Sequence, residues 1–396
     1  MVIQANSHCF YGVEEMRNQA HGLCRDYLHG AWQLISPDDM VIKPISGGMS
    51  NFLFLCELPD DQQPLAGEPC QVLLRMYGQV QDGGHESITE SVIFTLLAER
   101  RLGPKLYGIF PGGRLEEFIQ ASSLRYSDLR SPEVSRQIAR QLATVHSLDV
   151  PICKEPRFIW QMMKKWIRMT KECLDDRTMA EHADKVDVIK SLRLVSFEQE
   201  MEWLKRYFDR VPSPVVFCHN DLQEGNVLRH SDVKGGRQRL TLIDFEYCSY
   251  NYRGFDLANH FCEWLYDYSS PQPPFFTEHP DRWPSRDEQL RFIRAYLEHR
   301  FKTAAVDDDD EHPVMDKEQL QREEESMLDE INVYSLGSHL FWAVWSITNA
   351  ATSSINFGYW DYSLCRLKAY QRQKQHLMES DPRCPKMAQG VKRNLD

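Results

Sequence analysis

The 396-residue sequence contains no apolar stretch near the ~18 residues that a membrane span requires, so stable membrane insertion is not expected. The segment Met1 to Gln19 is polar and lacks the hydrophobic centre of a secretory leader, which points to a cytoplasmic protein. There is no basic excess. Lys and Arg number 46 against 58 Asp and Glu, a net charge of −12, which argues against general binding of nucleic acid or anionic membrane. The eleven cysteines form no C-x-x-C pair and are odd in number, so reduced, packed thiols are expected rather than a disulfide framework. A zinc set built from Cys218, Cys248, His260 and Cys262 lacks any repeated ligand spacing, and buried apolar cysteine is the simpler reading. No internal repeat is visible. What the chain does have is apolar material, 42% of its residues, over a length that suits two lobes better than one core.

The densest chemical signal lies between Phe217 and Asp244. The chain there reads F-C-H-N-D-L-Q-E-G-N-V-L, then a turn, then L-T-L-I-D-F. Asp221 is followed five residues later by Asn226, and Asp244 ends a short apolar run. Phosphoryl transfer needs one carboxylate to orient and deprotonate the attacking hydroxyl, and oxygen ligands to hold magnesium against the nucleotide phosphates. Kinases place their catalytic Asp and metal-binding Asn at this spacing, and their second metal-binding Asp begins a D-F pair after the next strand. A purely structural polar turn explains each of these residues singly but not their joint pattern.

Helical spacing over 14–32, ending near Gly30, predicts an N-terminal helix. A strand at 41–45, the glycine turn Ser46-Gly47-Gly48-Met49-Ser50-Asn51 and a second strand to Leu58 follow. A third strand over 71–77, a helix over 86–101 and paired strands at 105–110 and 114–119 complete a β-rich region. Beyond Leu124 the pattern is helical, over 132–148, 158–174, 186–211, 287–301, about 317–350 and 359–377. The acidic run within 304–325 reads as a solvated surface. The expected fold class is therefore α+β: a bilobal, protein-kinase-like fold with a small β-rich N-terminal lobe and a larger, mainly helical C-terminal lobe. The expected boundaries are an N-terminal helical extension at 1–40, a nucleotide-binding lobe at 41–123, a helical lobe with the catalytic loop at 124–380, and a disordered tail at 381–396.

On the nucleotide side, Ser46, Gly47, Gly48, Ser50 and Asn51 form the candidate phosphate-covering loop, because glycines let backbone N–H groups approach phosphate oxygens. Arg75 is the single cation in V-L-L-R-M-Y-G and is the candidate phosphate contact, steadied by Glu90 on the next helix; a solvent-facing Arg on an edge strand is the alternative. The chain lacks G-x-G-x-x-G, V-A-I-K, D-F-G and A-P-E, so its phosphate acceptor is expected to be a small molecule rather than a protein.

The segments H-N-D-L-Q-E-G-N and I-D-F-E-Y-C-S-Y-N-Y-R-G-F-D-L-A-N-H-F-C-E-W resemble those of the choline/ethanolamine kinases, and the choline kinase branch more closely. Gln223, Glu224, Gly225, Cys262, Glu263 and Trp264 carry the choline side of that resemblance, which extends from I-S-G-G-M-S-N to F-G-Y-W-D-Y. It implies ATP and Mg2+ as cofactors, choline (with ethanolamine as the rival acceptor) as substrate, and a homodimer. It also implies Asp221 as the base with Gln223 near the acceptor, Asn226 and Asp244 as magnesium ligands, and a choline pocket of Tyr247, Glu263, Tyr268, Trp342, Trp345, Phe357, Tyr359 and Tyr362. Such a pocket suits a quaternary ammonium, which donates no hydrogen bond and is held by ring faces and a nearby carboxylate. Without the resemblance, Trp342 and Trp345, three apart on a helix, would read as core. Glu246, Arg253 and Asp256 are expected to brace the catalytic loop through buried ion pairs. Glu117 stands where relatives often have Gln, at the expected adenine side. A kinase-like scaffold without activity is the remaining alternative; such proteins usually lose the base or a metal ligand.

Overall fold

The computed structural model describes residues 13–45, 51–65, 67–77, 85–230, 239–304, 316–353 and 355–386. Two compact units result, one of Met1–Ser122 with Leu228–Glu246, the other of Ser123–Val227 with Tyr247–Asp396. The first is β-rich and the second mostly helical, the α+β, protein-kinase-like plan expected from the order of the sequence patterns. No described helix is long and apolar enough to cross a membrane.

The smaller unit is built on a five-stranded antiparallel sheet of order β1-β2-β3-β5-β4, with β1 Val41–Ile45, β2 Asn51–Glu57, β3 Gln71–Tyr77, β4 Leu106–Phe110 and β5 Gly113–Glu117. Its strands alternate because one face meets a core. Cys56, Val72, Leu74 and Leu115 bury there against Ala20 and Cys24 of helix α1 (Val13–Tyr27) and against Leu28 and Trp32 beyond its end. The N-terminal segment thus shares the core of this unit rather than standing apart as an extension. The N-terminal helix, expected to end near Gly30, stops at Tyr27. Gly30 takes φ +57, which an α-helix cannot accommodate, and a short 3-10 turn, Gly30–Gln33, follows. Helix α2 (His85–Glu99) and a return segment with strand β6 (Leu240–Leu242) complete this unit.

In the larger unit the predicted helix over 186–211 is two, α5 (Val186–Arg193) and α6 (Phe197–Phe208), with Ser196 at the N-cap position of the second. The other helices follow their patterns: α3 Pro132–His146, α4 Phe158–Cys173, α7 Arg253–Glu263, α8 Arg286–Ala304, α9 Lys317–Thr352 and α10 Tyr359–Ser380. Helix α9 starts at a capping box in which Asp316 accepts from Gln319 N and the Gln319 side chain accepts from Asp316 N. It is buried without a break from Val333 to Thr348. Strands β7 (Val215–Cys218) and β8 (Ser249–Tyr252) pair antiparallel, and β7 leads into the turn His219–Asn226. Part of the expected disordered tail is packed. Trp203 donates from Nε1 to the Pro385 carbonyl at 2.9 Å, and Arg383 pairs with Asp329 at 2.6 Å. Residues 387–396 lie outside the described residues, as do Ser46, Gly47, Gly48 and Ser50.

Candidate active site

The turn His219–Asn226 is held from beneath by one carboxylate. Asp256, fully buried on α7, accepts from His219 N at 2.7 Å and from Asn220 N at 2.8 Å, and bonds His146 Nε2 at 2.9 Å. Burial opposes its charge, but the bond from His146 and the His219 N–H outweigh it and hold the carboxyl below its ordinary value. His146 is the mirror case: burial drives it toward the neutral form. His146, Cys218 and Asp256 cluster closely enough to suggest a metal site, yet the Asp256 oxygens are engaged by backbone N–H groups, so the cluster reads as a hydrogen-bonded brace. The bracing expected of Asp256 is therefore real, but it runs through backbone donors. Arg253 is engaged elsewhere, bonded to Glu330 and, at 2.6 Å, to Glu323 of α9. His260, weighed above as a zinc ligand, bonds the Leu222 carbonyl through Nδ1 at 3.0 Å and accepts from Trp264 through Nε2.

Asn220 has φ +65, a left-handed conformation uncommon outside glycine, and Asp244 has φ +63. Asn220 is fixed there by its side chain. Its Nδ2 donates to Tyr247 O at 2.8 Å and to Ser249 Oγ at 2.9 Å, and its Oδ1 accepts from Asn251 at 2.8 Å. The next residue, Asp221, is half-buried. Asn226 donates from Nδ2 to the Asp221 carbonyl at 2.8 Å and to its carboxylate at 2.9 Å. With the amide nitrogen so placed, the Asn226 Oδ1 is turned away from Asp221, the donor a magnesium ion would need. Gln223 accepts from Gly225 N at 3.0 Å and shapes the 3-10 turn Glu224–Asn226.

The smaller unit carries Asp244 and the cations. Arg75 lies on central strand β3 and is 5% exposed, which excludes the solvent-facing alternative. Its Nε donates to Glu116 at 3.0 Å and its Nη1 lies 3.3 Å from Asp244 Oδ1. Glu116 also accepts from Arg114 Nε at 2.7 Å, and Arg114 Nη1 reaches Glu90 at 2.8 Å. The carboxylate bonded to Arg75 from its own sheet is thus Glu116, with Glu90 on Arg114. Burial raises the Glu116 carboxyl, but Arg114 and Arg75 together hold it below the usual range. Burial likewise opposes the Arg75 charge, and Asp244 and Glu116 overcome it. Glu116 escaped sequence reading, although Arg114 and Glu116, two apart in R-L-E-E, had to share one face of β5. Glu117 points the other way and accepts from Lys105 N at 3.1 Å. Asn51 opens β2 opposite Tyr77.

All eight residues of the expected cation pocket fall in the larger unit, and the rings touch in series. Tyr247 meets Trp342 edge-on at 5.6 Å between centroids, Trp342 meets Trp345 at 5.3 Å, and Trp345 meets Tyr359 at 5.8 Å. Tyr359 meets Phe357 at 5.0 Å, Phe357 meets Tyr362 at 5.5 Å, and Tyr268 lies 6.0 Å from Tyr362. Trp345 donates to the Tyr247 hydroxyl at 3.0 Å. Glu263 accepts from Tyr268 at 2.6 Å and from Arg366 at 3.0 Å. Trp342, Trp345, Tyr359 and Tyr362 are buried, whereas Tyr247, Tyr268 and Phe357 are half-buried. The cluster is tied to the His219–Asn226 turn through Asn259. Its Oδ1 accepts from Trp342 Nε1 at 2.7 Å, and its Nδ2 donates to the Asn220 carbonyl at 3.3 Å. Asn259 was passed over in the sequence, where a lone Asn inside a helix gives no signal. In the sequence Glu224 stands out only as part of the Q-E-G motif. It is buried, and burial together with Glu263 pushes its carboxyl up to about 8.

A family model described as choline/ethanolamine kinase matches residues 42–371. The chain belongs to the choline/ethanolamine kinase family. A choline/ethanolamine kinase from Rattus norvegicus is 42% identical over 363 residues, which is 92% of this chain and 88% of that protein. Choline kinase alpha from Mus musculus is 40% identical, covering 91% and 81% respectively. Among solved structures, a choline kinase from Cryptosporidium parvum superposes with a TM-score of 0.66 at 26% identity, covering 91% of this chain and 96% of that one. Enzymes of this family are phosphotransferases with an alcohol acceptor, and the Asp221–Asn226 turn and Asp244 lie within the matched region.

Proposed function

We propose that this protein is an ATP- and magnesium-dependent choline kinase that moves the γ-phosphoryl group of ATP to the choline hydroxyl, giving phosphocholine for phosphatidylcholine synthesis. The observation that carries the reading is the chain of rings from Tyr247 to Tyr268, anchored through Asn259 to the turn that bears Asp221. A trimethylated nitrogen offers no N–H and is matched by ring faces worth ~0.5–2 kcal/mol each. Tyr247, Trp342, Trp345, Phe357, Tyr359, Tyr362 and Tyr268 supply such faces, and Glu263 lends the ring cluster negative potential.

Asp221 accepts the proton of the choline hydroxyl and aims the oxygen at phosphorus; Gln223 lies beside the acceptor. Most of the gain comes from position, since loosely bonded phosphoryl transfer asks for alignment and charge stabilisation more than for a strong base. Asn226 and Asp244 would hold the metal, whose positive charge, when bound, offsets the charge developing on the phosphate oxygens. Their donors fit a hard cation: one amide oxygen and one carboxylate. Arg75 reaches the phosphates from β3, the loop Ser46, Gly47, Gly48, Ser50 and Asn51 covers them, and Glu117 stands at the adenine side.

The names of the relatives include ethanolamine as well as choline, which supports a second reading in which both alcohols are used with choline preferred. A non-catalytic scaffold is disfavoured because Asp221, Asn226 and Asp244 are all present. The reading includes a cytoplasmic homodimer, checked by sedimentation of the purified chain. The deciding experiment compares phosphoryl transfer by that protein to choline, ethanolamine and an aminoglycoside. Turnover of the aminoglycoside alone would sink the reading.

A further inference from the structure

Glu263, the carboxylate expected in the acceptor pocket, already has a cation beside it. Arg366 of α10 is fully buried and donates from Nη1 to Glu263 Oε1 at 3.0 Å, while Oε2 accepts from the Tyr268 hydroxyl at 2.6 Å. Its other amino group, Nη2, donates to Ser338 Oγ of α9 at 3.1 Å. Ser338 in turn donates to Asn259 Oδ1 at 2.8 Å, the oxygen that also accepts from Trp342, and Asn259 Nδ2 donates to the Asn220 carbonyl. The guanidinium lies over two rings as well, 4.7 Å from the centre of Tyr266 and 5.5 Å from that of Tyr362. One side chain thus holds the pocket's carboxylate, backs one of its rings and leads, through two hydrogen-bonded residues, to the peptide group that joins Asn220 to Asp221.

Stability alone does not account for this group. Burying a guanidinium–carboxylate pair strips both ions of water, and an apolar set of similar volume often leaves a protein as stable or more so. Arg366 Nε also has no hydrogen-bond partner among the described residues, which adds a desolvation penalty. What the planar fork supplies is direction: it holds two acceptors at fixed angles at once, as the single ammonium of lysine does not. We propose that Arg366 is a positioning residue for phosphoryl transfer. Wholly buried, it offers nothing to a ligand directly. It sets Glu263 and Tyr268 in the acceptor pocket and, through Ser338 and Asn259, holds the Asn220 carbonyl and with it the direction of Asp221. This rests on the amino-alcohol kinase reading above and adds to it that the acceptor seat and the reacting turn form one frame, so that a change at one is felt at the other.

Arg366→Lys and Ser338→Ala cut this path at different points. Lysine keeps a positive charge for Glu263 but cannot also hold Ser338; alanine leaves the Arg366–Glu263 pair intact and breaks only the step to Asn259. For Arg366→Lys, KM for choline should rise and kcat fall, each by about tenfold, the worth of one charge-assisted hydrogen bond, with KM for ATP within about twofold of wild type. For Ser338→Ala, kcat should fall by about three- to tenfold with KM for choline little changed, a split that general loosening of the fold does not give. Because both act on one path, kcat of the double variant should match that of Arg366→Lys alone within about twofold, rather than show the product of the two losses. Wild-type kcat in Ser338→Ala overturns the inference. So do KM values for ATP and choline raised alike, or losses that simply multiply in the double variant. The alanine variant decides the matter even if Arg366→Lys does not fold. A wild-type protein that phosphorylates neither choline nor ethanolamine overturns the parent reading, whereas missing effects in variants of an active enzyme overturn this inference alone.

Discussion

The two units treat charge in opposite ways. In the smaller one, two arginines and three carboxylates are drawn into one connected set, Asp244–Arg75–Glu116–Arg114–Glu90, most of it buried. In the larger one, the candidate acceptor pocket is mainly rings, with the Glu263 carboxylate matched by Arg366 and Tyr268. A site for a polyanion needs fixed cations, and fixed cations inside a sheet need partners to stay buried. A site for a small cation needs a soft wall and as little competing positive charge as possible. The smaller unit thus spends carboxylates on holding its arginines, and the larger one sets most of its candidate pocket in uncharged rings.

The contrast is broken most severely at the reacting centre. Asp221→Ala and Asp244→Ala are each expected to lower kcat by ~10²–10⁴-fold while circular dichroism stays native; near wild-type turnover in either would remove the mechanism. Next comes Glu116→Gln, which leaves Arg75 and Arg114 without their shared partner. It should cost ~3–5 kcal/mol of stability, read by chemical denaturation, and raise KM for ATP rather than for choline. Ring removal is milder and selective. Trp342→Ala or Trp345→Ala should raise KM for choline by roughly 3- to 30-fold, corresponding to the ~0.5–2 kcal/mol of one ring face, and more than it raises KM for ATP. An equal effect on both substrates would count against the cage.

The smallest expected effect concerns acid. His146, His260 and His339 are buried and held toward the neutral form, His260 at about 4. Unfolded, these imidazoles take up protons near their ordinary value of about 6.5, whereas the folded protein does not. The unfolded chain therefore binds more protons, and stability should fall as pH drops from about 6.5 toward 4. His146→Gln should flatten that slope by about one proton's worth.

Much of this was readable because each motif is contiguous. The turn Asp221–Asn226 and Asp244 follow a spacing that chain geometry imposes on phosphoryl transfer, and Trp342 and Trp345 declare their shared face by being three apart. Glu116, Asn259 and Glu224 were not readable in the same sense. Glu116 acquires meaning only when β3 and β5 lie side by side, with Arg75 opposite Arg114. Asn259 matters because α7 and α9 pack so that it meets Trp342. Glu224 stands in the Q-E-G motif, but only its burial shows that its carboxyl is raised. Helix ends failed for a local reason: a continuous apolar rhythm across 186–211 hides the break before Phe197, which depends on backbone geometry around Ser196.

Asn220 shows how narrow a choice can become when one residue answers two demands. Its left-handed backbone would welcome glycine or aspartate as readily as asparagine. Yet glycine would strand the Tyr247 carbonyl and Ser249, and aspartate could not donate to either. Only one of the twenty amino acids satisfies both requirements, so drift at this position should stall even where neighbouring letters wander. A distant homologue recovered with anything else there would have had to rebuild the floor beneath its reacting groups.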